Sequence, residues 1–142
     1  MAQTKILVVE DERTVAADIR NRLKILGYPL PTTASSGKEA IKKAAAYHPD
    51  LVLIDIQLKG ETDGLKAAKQ IHDRLGIPVV YLMDDADEEK LKDENIIEPF
   101  HYVLKPCEES SLHMSIERAL YRHKMGRLWR FFSEQKIRKE AS

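Results

Sequence analysis

Cysteine is almost missing from this sequence: Cys107 stands alone, which rules out an internal disulfide and suits a reducing compartment. Long apolar runs are missing too. No stretch approaches the roughly 20 residues that a membrane-spanning helix requires, and the N-terminal MAQTKILVVEDE lacks the apolar core of a secretory signal. Both absences point to a cytoplasmic protein. Net charge is the third absence: 23 basic residues offset 23 acidic ones, so global charge argues for neither nucleic acid nor a membrane as partner. There are no internal repeats and no low-complexity segments. What is present is an ordinary composition, 142 residues and 43% hydrophobic, enough for one core in one domain. The charge is segregated: residues 84–98 carry eight acids against Lys90 and Lys92, and residues 118–139 carry eight bases against Glu134.

Short apolar runs alternate with amphipathic stretches, the pattern of a parallel sheet covered by helices on both faces. Strands are expected at Lys5–Val9, Leu30–Ala34, Leu51–Ile56, Ile77–Met83 and Tyr102–Leu104. Helices are expected at Thr14–Leu26, Lys38–Tyr47, Leu65–Leu75, a weakly amphipathic Ala86–Asn95, and a long Ser110–Ile137. Pro29 and Pro31 cannot donate to a ladder, so the second strand belongs at an edge. The expected fold is therefore α/β: a doubly wound, flavodoxin-like, five-stranded parallel sheet in the order 2-1-3-4-5, with an extended C-terminal helix. A boundary falls near Lys124–Gly126, giving a globular domain over 1–124 and a helical extension or linker over 125–142.

Such sheets bind ligands at the carboxyl ends of their strands. Here the first strand delivers Glu10 and Asp11, the third Asp55, and the fifth Lys105 followed by Pro106. Three carboxylates suit a hard cation such as Mg²⁺, which keeps waters and accepts phosphate oxygens. The metal also inverts a field that would otherwise repel a phosphoryl donor. Lys105 adds a point charge suited to a phosphoryl oxygen, and an aspartate can accept a phosphoryl group. Asp11 taken alone reads more readily as a helix cap or a solvated loop residue. Asp55 does not, because it lies in the apolar LVLIDI, where an unpaired charge is costly.

The motifs VVEDE at 8–12, LVLIDIQL at 51–58, G-x-x-DG at 60–64 and YVLKP at 102–106 resemble the receiver domain of two-component response regulators. The resemblance runs from about Lys5 to about His123. It implies a phosphorelay component, not a classical enzyme, in which Asp55 is the phosphoacceptor and self-phosphorylation and self-dephosphorylation of Asp55 are the most it catalyses. It further implies that Asp11 binds Mg²⁺ directly, that Glu10 holds it directly or through water, and that Gln57 adds its backbone carbonyl. Lys105 would contact the phosphoryl group and pair with Asp55 when it is empty, Lys105–Pro106 would be a cis peptide, and Tyr102 would be the aromatic that swings inward on activation. The donor would be a histidine kinase or a phosphotransfer protein.

One position departs from that pattern. The family usually has Thr or Ser at the end of the fourth strand, whose hydroxyl bonds the phosphoryl group and couples it to conformational change. This chain has Met83, followed by Asp84 and Asp85. A thioether donates nothing. The lost bond would be worth about 1.5–3 kcal/mol, comparable with a whole switching free energy of about 1–3 kcal/mol. The sequence thus implies weak or rewired switching, and the alternative reading is a phosphorylation-independent interaction module on the same fold. A haloacid-dehalogenase-type phosphohydrolase is a distant third, because its Asp-x-Asp would need an acid where Gln57 stands, and the chain has no room for a cap domain.

Along the last helix, Leu112, Ile116, Ala119 and His123 form a stripe suited to the sheet. A second stripe, Tyr121, Met125, Leu128 and Phe132, has heptad-like spacing and reads as a homodimer seam or a linker to an output module. Nucleic acid is disfavoured, although basic and aromatic residues alternate there, and the acidic 84–98 segment is a nearer counterpart for the basic tail. Cys107 reads as a packing residue, and Gly60 and Gly64 as turn residues before the third helix.

Overall fold

The computed structural model describes residues 4–29, 31–58, 64–84, 87 and 102–141. In chain order its elements are β1 (Ile6–Val9), α1 (Arg13–Ile25), β2 (Thr32–Ala34), α2 (Gly37–Tyr47), β3 (Leu51–Asp55), α3 (Gly64–Leu75), β4 (Val79–Met83), β5 (Tyr102–Leu104) and α4 (Glu109–Ala141). The strands form one parallel sheet in the order β2-β1-β3-β4-β5, as the alternation of runs predicts. The helix expected at Ala86–Asn95 lies outside the described residues, apart from Asp87.

Four strands are shorter than expected: β1 and β3 each lose one terminal residue, Lys5 and Ile56, and β2 and β4 lose two each for a shared reason. β2 begins at Thr32 and β4 at Val79, because Pro31 and Pro78 have no N–H to give a ladder. Pro78 contributes only its carbonyl, which accepts from Val52 N at 3.0 Å. α2 starts at an N-cap: Ser36 Oγ accepts from Glu39 N at 3.1 Å, and the Glu39 carboxylate reaches back to the Ser35 hydroxyl at 3.0 Å. α1 and α3 each end before a glycine of positive φ, Gly27 at 96° and Gly76 at 66°.

Because side chains alternate across a strand, the central strands are apolar on both sides. Val8, Leu53, Val80, Leu82 and Val103 meet Ile19 and Leu23 of α1 and Leu112 and Ile116 of α4. On the other face Leu7, Val9, Val52 and Ile54 meet Ala40 and Ala44 of α2 and Ala67, Ala68 and Ile71 of α3. The small residues of α2 and α3 let those helices approach the sheet closely. α4 is further tied to the turn after α1, where the buried Tyr28 hydroxyl donates to Glu117 Oε1 and sits 3.3 Å from His113 Nδ1. Burial, followed by the hydrogen bond to the Glu117 carboxylate, pushes the Tyr28 phenol well above its ordinary value, so the hydroxyl keeps its proton at physiological pH. Among the described residues, no helix is long and apolar enough to cross a membrane.

Candidate active site

The carboxyl edge of the sheet gathers the residues singled out above. Glu10 continues the β1 line, its N–H donating to Ala34 O at 3.0 Å. Register pairs Val9 with Ile54 and Asp55 with Leu82, so Asp55 closes β3 one step beyond the end of β1. Lys105 follows β5 directly, and its N–H donates to Met83 O at 2.9 Å. The Lys105–Pro106 peptide is cis.

These backbones bring the side chains together. Lys105 Nζ donates to Asp55 Oδ2 at 2.5 Å and lies 3.1 Å from Glu10 Oε2. Asp55 Oδ1 accepts from Gln57 N at 2.9 Å, and Glu10 Oε1 from Glu12 N at 3.3 Å. Glu10 and Asp55 are only 2% and 3% exposed, a costly place for two carboxylates served by one ammonium. Glu10 carries the strain. Burial first, then the Asp55 carboxylate, push its acid up to about 7, against the opposing pull of Lys105. Burial pulls the Lys105 ammonium down, but the hydrogen bond and charge of Asp55, with Glu10 behind them, outweigh it and leave its pKa raised.

That imbalance is what a divalent cation would correct. Glu10, Asp11 and Asp55 each offer an oxygen, all within 4.8 Å of one another. Glu10 Oε2 makes no aligned hydrogen bond despite its nearby ammonium. An all-oxygen, partly exposed, electron-rich cluster fits a hard ion that retains water, such as Mg²⁺.

Three features were less visible in the sequence. Gly64 is not a turn residue but the first residue of α3. A Cβ there would stand 2.1 Å from Asp55 O and 2.7 Å from Ile56 Cα, so only glycine lets α3 begin against the end of β3; Gly60 lies outside the described residues. The Gln57 side chain reaches across the edge, its amide donating to Asp87 Oδ1 at 3.0 Å and Asp84 Oδ2 at 3.4 Å. Asp84 and Asp87 also cap each other's N–H groups at 2.9 and 3.3 Å. Their i, i+3 spacing was the sequence signal for that turn; nothing signalled the Gln57 bridge. Met83 is 1% exposed, placing a thioether, not a hydroxyl, at the end of β4. Tyr102 is half-buried, and its carbonyl accepts from Ser115 Oγ at 3.5 Å. Cys107 is buried, and burial pushes its thiol up to about 11, the state of an inert packing residue.

Residues 6–117 match the family model of the response regulator receiver domain. Among curated proteins, the chain is 30% identical to the transcriptional regulatory protein PdtaR of Mycobacterium tuberculosis, over 83% of this chain and 57% of that protein. It is also 30% identical to the phyllosphere-induced regulator PhyR of Methylorubrum extorquens, over 97% of this chain and 48% of that one. Among solved structures, the signal receiver domain of a modulated diguanylate cyclase from Desulfovibrio desulfuricans G20 superposes with a TM-score of 0.79 at 33% identity, covering 88% of this chain and 99% of that one. The chain belongs to the response-regulator receiver family. It has the family's five-stranded sheet and, in Glu10, Asp11 and Asp55, the acidic cluster typical of a receiver's Mg²⁺ and phospho-aspartate site. It spans about half the length of the curated relatives it matches.

Proposed function

We propose that this chain accepts a phosphoryl group on Asp55 from a histidine kinase or phosphotransfer protein. The observation that carries the reading is Lys105 held between the nearly buried carboxylates of Asp55 and Glu10. Asp11, Glu10 and Asp55, with the Gln57 carbonyl, would hold one Mg²⁺. When bound, that ion would supply positive charge to offset the acids and the incoming phosphoryl oxygens.

The chain's own residues do the rest. An Asp55 carboxylate oxygen attacks phosphorus, forming an O–P bond as the bond from phosphorus to the donor breaks with its electron pair. Gln57 N–H holds the carboxylate in place for the attack. Lys105 is free to trade its bond to Asp55 for one to a phosphoryl oxygen, keeping positive charge where negative charge accumulates. Self-dephosphorylation is the reverse demand: water attacks phosphorus and Asp55 leaves as the carboxylate.

A second reading has one observation behind it. Met83, packed at the end of β4, has no proton to offer a phosphoryl group, which favours weak coupling of phosphorylation to shape or a module that does not use phosphate. Intact-mass spectrometry after incubation with acetyl phosphate and Mg²⁺ separates the two. One added phosphoryl group, absent in Asp55→Asn and absent without Mg²⁺, is the expected result. No adduct, with Mg²⁺ binding demonstrated, favours the phosphate-independent module. Beyond the globular part, α4 is offered as a dimer seam or a linker to an output module.

A further inference from the structure

Gln57 donates at both ends, and every acceptor is a carboxylate. Its backbone N–H donates to Asp55 Oδ1 at 2.9 Å. Its side-chain Nε2 donates to Asp87 Oδ1 at 3.0 Å and to Asp84 Oδ2 at 3.4 Å. Those two acids are also joined to each other: Asp87 N–H donates to Asp84 Oδ1 at 2.9 Å, and Asp84 N–H to Asp87 Oδ2 at 3.3 Å. All four carboxylate oxygens of the pair therefore accept, two from backbone N–H groups and two from one amide. A primary amide has only two N–H hydrogens, and this one spends both on the pair. The bonds run from the end of β3, where the acceptor sits, to the segment that leaves β4.

Met83 cannot make such a link, because it is buried and its thioether has no proton to give. A backbone route also exists, since Met83 O accepts from Lys105 N at 2.9 Å. The two routes differ in how they begin. Lys105 reaches Asp55 through a flexible side chain, which can follow a phosphoryl oxygen while its backbone stays in place. Gln57 reaches Asp55 through its backbone N–H. A change at Asp55 therefore displaces the residue that carries the amide.

We propose that the Gln57 side chain couples the state of Asp55 to the segment leaving β4, in place of a hydroxyl at the end of that strand. The inference rests on Asp55 being the phosphoacceptor. When Asp55 takes the phosphoryl group, one carboxylate oxygen becomes the bridge to phosphorus, and the negative charge moves out onto the phosphoryl oxygens. Gln57 N–H then loses its charged acceptor, and a charge-assisted bond becomes an ordinary one. That difference between the two states is what an equilibrium needs if it is to shift. Gln57 moves with it, and the movement reaches Asp84 and Asp87 through the amide that holds them both. Its side chain is a positioning group, acting through the two acids and not on the reacting phosphorus.

Amide NMR spectra of the full chain, recorded before and after acetyl phosphate, test this. Mg²⁺ is present throughout, so metal binding does not enter the difference. Intact mass gives the phosphorylated fraction of each protein, and the resonances of that fraction are compared. Phosphorylation is expected to move the Asp84 and Asp87 amide resonances of the wild type. These shifts should be largely lost in Gln57→Met, which keeps the length of the side chain and has no donor. Asp87→Ala removes the shorter of the two amide bonds and leaves Gln57 untouched, so it should weaken the shift at Asp84. The bridge is exposed, so neither substitution should disturb the fold, and far-UV circular dichroism checks that. Shifts that survive both substitutions undiminished overturn the proposal and place the coupling in the backbone bond from Lys105 to Met83. A phosphorylated wild type whose Asp84 and Asp87 amides do not move overturns it as well. A wild-type mass that never changes overturns the phosphoacceptor reading itself, and the coupling with it.

Discussion

The carboxyl edge of the sheet and the outer half of α4 invert each other. At the edge, charged groups are buried and nearly every polar atom is committed to a neighbour: Asp55 to Lys105 and Gln57, Glu10 to Glu12 N–H and the same lysine. On α4 beyond His123, aromatic rings stand in water. Both arrangements cost free energy in the isolated chain, and both are relieved by something that binds. A cation would relieve the first, and an apolar surface the second. The difference lies in precision: a buried charged cluster tolerates almost no change in geometry, whereas an exposed stripe tolerates any change the free chain does not feel.

Gly64→Ala should show the largest effect. The new methyl meets backbone atoms, which cannot swing aside, so a loss of about 3 kcal/mol, the upper end of overpacking costs, is expected from urea unfolding. Phosphorylation of Asp55 should slow in parallel. A fully stable variant would mean that α3 does not constrain the acceptor.

Lys105→Met comes next. It leaves Glu10 and Asp55 facing each other without a cation, and a cost of about 2 kcal/mol at neutral pH is expected, below the range for fully buried pairs because the lysine side chain is 27% exposed. Added Mg²⁺, or a fall in pH that protonates Glu10, should restore much of it. Stability insensitive to both would contradict the cluster as described.

The raised Glu10 acid gives the third expectation. Its folded-state pKa lies above the ordinary carboxylate value, so in the metal-free protein this group's contribution is greatest at acid pH and declines as pH rises toward about 7. Mg²⁺ must displace the same proton. Calorimetry should therefore show affinity rising with pH up to about 7, by as much as about tenfold per pH unit, with proton uptake by the buffer, and flattening above it. In Glu10→Gln the slope should disappear.

The smallest effect sharpens the contrast from the other side. Leu128→Glu with Phe132→Glu should change unfolding free energy by less than about 0.5 kcal/mol, because neither side chain is buried in the free chain.

Much of the fold was legible because it rests on features local in sequence. Pro29 and Pro31 marked β2 as an edge, and the doubly apolar runs marked β1, β3 and β4 as central. The strand trimming at Pro31 and Pro78 follows from the same chemistry applied one residue further. The convergence of Glu10, Asp55 and Lys105 followed from topology once the strand order was set. What was not legible depends on approach distances between separate elements. Glu10 and Asp11 are neighbours in sequence, yet Glu10 is nearly buried and Asp11 is not, because Glu10 still continues the β1 line beside β2 while Asp11 lies in the bend that leads to α1. The need for glycine at 64 comes from how close α3 runs to β3, and the Gln57 bridge depends on where the turn at Asp84 falls.

The most direct test of the account locates the phosphoryl group. Protein treated with acetyl phosphate and Mg²⁺ is reduced with borohydride, which converts an aspartyl phosphate to homoserine, and then digested and mapped by tandem mass spectrometry. The account predicts homoserine at position 55 alone, lost in the absence of Mg²⁺. Conversion at Asp11, Asp84 or any other acid, or none at all while Mg²⁺ binds, would contradict it.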